Sequence, residues 1–200
     1  MSILKKSVIP TDKKNELSET LSELIKEYHS LALNIEGQIN AIGIYTDADM
    51  TTFLLGYNTE EGVKEIIDRQ LDTNALFPDD PCDRPLDDDK WLIPEWISES
   101  YEDLIEENNT KLIKANELIS KLYEANVHKN FVHYKSEMFD ILCDVIATLK
   151  KSGVFGPNAD QLILLVQVSD NGLNNTREKS IKKILTKVQL EEYKSFLETW

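Results

Sequence analysis

Apolar residues recur at two different periods along this 200-residue chain, and that alternation limits its possible folds more than any other feature. Within residues 12–33, Leu17, Leu21, Leu24, Ile25, Tyr28, Leu31 and Ala32 fall mostly three or four apart, which is one face of an amphipathic helix. Helical spacing returns in residues 101–126, at Leu104, Ile105, Leu112, Ala115, Ile119 and Leu122. It returns again in residues 131–150, at Tyr134, Met138, Phe139, Leu142, Val145, Ile146 and Leu149. Between these long stretches stand short runs of strand character. Residues 39–45 alternate around Ile42 and Ile44, and residues 51–55 follow the turn formers Thr46-Asp47-Ala48-Asp49. Residues 161–168 are almost continuously apolar, as in a strand covered on both faces, which predicts a central place in the sheet. The pattern predicts an α+β fold: a single domain over 1–200, core roughly 12–190, with a mainly antiparallel sheet packed by several helices. A chain of this length can bury about 70% of the surface its unfolded form exposes, enough for one sizeable core.

Local punctuation refines the elements. Asn58 or Thr59 can cap a helix beginning Glu60-Glu61, with Asn58 and Glu61 at capping-box separation, and that helix would bury Val63, Ile66, Ile67 and Leu71. Residues 73–94 hold four of the six prolines and six aspartates, which predicts an acidic loop at 74–90. Trp91, Leu92, Ile93 and Trp96 then return the chain to the core, although two tryptophans could also anchor an interface. Gly153 and Gly156-Pro157 end the helix at 131–150, and two short helices around 181–185 and 190–197 close the chain. Positions 105, 108, 112, 115, 119 and 122 make a helix-packing seam that the polar Asn108 interrupts. A monomer is favoured over a dimer through that seam.

Charge is distributed very unevenly. The chain carries 22 basic and 36 acidic side chains, a net of −14. Residues 58–110 alone hold 4 basic and 17 acidic side chains, whereas residues 111–200 hold 13 basic and 11 acidic. Such a surface repels phosphate and anionic lipid, so nucleic acid and membranes are poor partners. It suits a cationic protein, because complementary charge raises association rate and specificity.

Few motifs of catalysis or metal binding are present. The start MSILKKSVIPTDKK lacks the apolar core of a signal peptide, and no run reaches the length of a membrane span, so a cytoplasmic protein is expected. Cys143 falls in an apolar helical pattern and reads as a small buried hydrophobe; Cys82, beside Asp83, lies where a thiolate is disfavoured. His29, His128 and His133 have no metal-ligand spacing, and the acidic loop lacks the glycine and terminal glutamate of a calcium-binding loop. No GxSxG, CxxC or phosphate-cradling glycine loop occurs. Neither a cofactor nor a metal is expected, and no catalytic residue is assigned.

The strand and turn Ala41-Ile42-Gly43-Ile44-Tyr45-Thr46-Asp47, followed by Tyr57-Asn58-Thr59-Glu60-Glu61, resembles an uncharacterised bacterial family, domain of unknown function 4303. Lys90-Trp91 with Pro94-Glu95-Trp96, Leu149-Lys150 with Gly153-Val154-Phe155, and Leu164-Leu165-Val166-Gln167-Val168-Ser169-Asp170 fit the same family in the same order. The acidic stretch at 79–89 and the helix at 101–126 are larger than the family pattern. The resemblance implies no enzymatic activity, and it implies a possible place beside toxin genes as an immunity protein.

The expected function is therefore a non-enzymatic immunity protein that neutralises a cationic toxin domain. The expected contact surface comprises Asp79, Asp80, Asp83, Asp87, Asp88, Asp89, Glu99, Glu102 and Glu106. A divalent-cation site and a merely solubilising loop are competing readings of the same aspartates. An enzyme with its site at the strand ends near Tyr45, Asp47 and Ser169 is the alternative, and a scaffold or regulatory binding module is another.

Overall fold

The two periods resolve into six helices and a three-stranded sheet in the computed structural model, which describes residues 7–76, 90, 91, 93, 109–169 and 175–198. In chain order these are α1 (Thr11–Glu36), β1 (Ala41–Thr46), β2 (Phe53–Asn58), α2 (Glu60–Leu76), α3 (Thr110–Asn126), α4 (Phe131–Lys151), β3 (Ile163–Val168), α5 (Asn175–Ile181) and α6 (Lys187–Glu198). α1 buries Leu17, Leu21, Leu24, Ile25, Tyr28 and Ala32, the stripe its sequence spells out. It ends at Gly37, whose φ of 74° is open to glycine at little cost and whose N–H donates to the Leu33 carbonyl at 2.8 Å.

The sheet has the order β2-β1-β3, with β1 antiparallel to β2 and parallel to β3. It is mixed, one pair of each kind, rather than mainly antiparallel. Nor is β3 central: β1 is, and β3 pairs with it on one side. The continuous apolar run of β3 has another cause. Ile42, Ile44, Leu164, Val166, Leu55 and Tyr57 share the face on which Tyr28 of α1 meets Tyr57, with ring centroids 6.0 Å apart. The opposite face is covered at Gly43, where an added Cβ would lie 2.7 Å from Ile93 Cδ1 and 2.9 Å from the Leu165 carbonyl oxygen. Gln167 fastens that cover, accepting from the Ile93 N–H at 3.1 Å and donating to the Trp91 carbonyl at 3.2 Å. Continuous burial thus reports cover on both faces, not position in the hydrogen-bond ladder.

Trp91 returns to the core as expected: it is buried, with its ring 5.4 Å from that of Tyr193 in α6. Trp96 lies outside the described residues. α3 starts at Thr110, where the Asn109 side chain accepts from the N–H groups of Lys111 and Leu112. The expected helix from 101 is therefore interrupted at a cap, and residues 101–108 lie outside the described residues. The described part of its seam, Leu112, Ala115, Ile119 and Leu122, is buried, and α3 packs against α1 and α4 of the same chain. α2 is capped by Thr59, whose hydroxyl accepts from the Gly62 N–H at 3.0 Å, so the capping box from Asn58 does not form. Val63 and Ile67 are half-buried, Leu71 is 49% exposed, and the Ile66 side chain lies outside the description. The helix expected at 181–185 is displaced toward the N-terminus as α5, and residues 182–186 form a turn and a bend before α6.

Candidate functional site

The parallel pairing of β1 and β3 brings together the two strand ends that the enzyme alternative needs. Thr46 sits opposite Val168, and the Ser169 N–H donates to the Thr46 carbonyl at 2.9 Å. Tyr45, Asp47 and Ser169 therefore share one end of the sheet. Asp47, however, is engaged by its own turn. Its carboxylate accepts from the N–H groups of Asp49 (2.7 Å), Thr51 (3.0 Å) and Thr52 (2.6 Å), and from the hydroxyls of Thr51 (2.7 Å) and Thr52 (2.6 Å). Partial burial raises its pKa, but the hydroxyls of Thr52 and Thr51 with the amides outweigh that and hold the carboxyl below its ordinary value of 3.8. A carboxylate so saturated is a poor general base and a good turn nucleus.

The turn is locked from outside as well. Met50, buried, takes a positive φ of 59°, and the buried Tyr134 hydroxyl of α4 donates to its carbonyl at 2.8 Å. Burial, then the charge of Asp47, push the Tyr134 hydroxyl above its ordinary range, so it stays protonated and donates.

A second group of titratable side chains joins α4 to α5 and the turn that follows it. The Ser180 hydroxyl donates to Asp140, Lys183 pairs with Asp144 at 2.6 Å, and Arg177 lies over the Phe139 ring at 5.5 Å. Cys143 beside them is fully buried, and burial followed by the charge of Asp140 pushes its thiol up. A protonated, enclosed thiol packs rather than reacts, as the apolar pattern around it predicts. These contacts tie α5 and the turn after it to α4.

Asp79, Asp80, Asp83, Asp87, Asp88, Asp89, Glu99, Glu102 and Glu106 lie outside the described residues, as does Cys82. His128 and His133 are exposed. Among the described residues no three His, Cys, Asp or Glu side chains converge as a metal site, and no helix is long and apolar enough to cross a membrane.

Comparison with known families places the chain. Residues 17–184 match the model of a domain of unknown function, DUF4303, and the chain belongs to that family. The match runs through both stretches that looked oversized for it. No curated protein and no solved structure matches the chain.

Proposed function

We propose that this protein is a bacterial immunity-type binding protein, which neutralises a cationic toxin domain by covering it with the acidic segment 79–106. The observation that carries the reading is the charge distribution: 17 acidic against 4 basic side chains within residues 58–110, in a chain whose last ninety residues are slightly basic. Toxins that cleave nucleic acids must hold phosphate and are basic for that reason, so an acidic inhibitor meets them by charge complementarity. The enzyme alternative at the strand ends is disfavoured because the Asp47 carboxylate is consumed by its turn. The dimeric-scaffold alternative loses the four described positions of its seam, 112, 115, 119 and 122, to packing against α1 and α4.

The test is direct. The products of the reading frames adjacent to this gene are purified and titrated against the full chain from low to high salt. One of them, net positive, should bind with an association rate that falls as salt rises. Reversing Asp79, Asp80, Asp87 and Asp88 to lysine should slow that association by roughly 10- to 100-fold at low salt. Unchanged rate and unchanged salt dependence would overturn the electrostatic reading.

A further inference from the structure

The end of the sheet opposite the hairpin carries a cleft that the acidic-segment reading does not use. It opens between the C-terminus of α1, the link into β1 and the connection from α4 to β3, and its volume is about 380 Å³. That is the size of small-molecule sites. His29 of α1 lines it. The residue is only 6% exposed, with its ring edge-on to Phe155 at 5.2 Å and 85°. Among the described residues no group hydrogen-bonds its ring nitrogens, which are not fully enclosed, and the side chain belongs to the cleft lining. A polar group on a cleft wall that no described protein group engages is available to a ligand. Burial holds the imidazole pKa below its ordinary value of 6.5, so at neutral pH the ring offers one donor and one acceptor.

The remaining walls define the chemistry. Leu33, Val154, Phe155 and Pro157 give apolar and aromatic surface, and Gln38, Asn158 and Gln161 add side-chain carboxamides. Among the described residues no Lys, Arg, Asp or Glu lines the cleft, and α1 directs its C-terminal, partially negative end toward it. A phosphate or carboxylate would find no counter-charge, and a metal cation would find no carboxylate. Carboxamides and a neutral imidazole pair well with the donor–acceptor edges of heterocyclic bases, and aromatic surface packs against their rings. We infer that this cleft binds an uncharged heteroaromatic ligand of nucleobase or nucleoside size, with His29 as its buried hydrogen-bonding contact.

The experiment titrates the full chain with adenosine, guanosine, cytidine and uridine, and with their 5′-monophosphates, by ligand-observed NMR. At least one nucleoside should saturate with a Kd below about 1 mM, with its monophosphate weaker by roughly tenfold. Binding should shift the His29 ring resonances. His29→Gln should weaken the nucleoside by roughly tenfold, and Leu33→Trp, at a rim position 36% exposed, should abolish binding while leaving the circular dichroism spectrum unchanged. If His29→Gln does not fold, Leu33→Trp decides. Failure of every nucleoside to saturate, tighter binding of a monophosphate, or undiminished binding by a folded Leu33→Trp protein would overturn the inference.

Discussion

The two ends of the sheet are finished in opposite ways. At the hairpin end, the carboxylate that looks chemically useful in the sequence is occupied: Asp47 accepts from Asp49, Thr51 and Thr52, and the adjoining Met50 carbonyl accepts from Tyr134. At the other end a buried imidazole lines a cleft with no hydrogen-bond partner among the described residues. Polar saturation marks a residue that stabilises the fold, whereas a buried polar group left open to a cleft contributes little to stability and is free to recognise something. The contrast reverses the prominence these residues have in the sequence, where Asp47 stands in a conspicuous turn and His29 sits inside an amphipathic helix.

Substitutions at the two ends should therefore differ sharply. Asp47→Ala leaves five donors of one turn without their acceptor, and should cost about 2–4 kcal/mol in urea unfolding. A loss under about 1 kcal/mol would mean that the turn does not depend on its carboxylate. Tyr134→Phe removes a single bond and leaves the Met50 carbonyl unpaired in the core, for a cost of about 1–2 kcal/mol by the same measurement. His29→Leu sacrifices no hydrogen bond, only the edge contact with Phe155, and should change stability by less than about 1 kcal/mol in either direction. A larger loss would show that His29 has a structural partner and would remove the contrast.

The smallest effect is in pH dependence, and the two ends separate there too. Both groups have folded-state pKa values below their ordinary ones, so in each case the unfolded chain binds more protons as pH falls, and stability declines. For His29 the decline begins as pH drops below 6.5 and should vanish in His29→Leu. For Asp47 it begins only below about 3.8 and should shrink in Asp47→Asn, as read from unfolding midpoints across pH. A wild-type curve flat from pH 7 to 5 would contradict the burial of His29.

Much of the architecture was legible because it rests on local rules. The 3.6-residue stripe of α1 and the ten buried residues of α4 follow from amphipathic spacing, and the hairpin follows from alternation around a Thr-Asp turn. The start of α3 is not legible because the apolar spacing runs on through the cap, and it is the Asn109 side chain that begins the helix at Thr110. The position of β3 was misjudged for a different reason: burial on two faces and pairing on two edges leave the same apolar signature. His29 could have been picked out only as a polar residue falling on the apolar stripe of α1, one position after Tyr28.

By itself, the sequence determined the α+β class, the helices and strands built on regular spacing, the membership of a family of unknown function, and the gathering of negative charge in residues 58–110. These are properties of composition and short-range periodicity, which need no knowledge of what lies across the fold. Only the tertiary structure decided that β1 is the central strand, that α3 spends its seam on α1 and α4, that Asp47 is saturated and that His29 is not. Each of those depends on groups distant in the chain arriving at hydrogen-bonding or packing distance, and a linear pattern does not encode which groups those are.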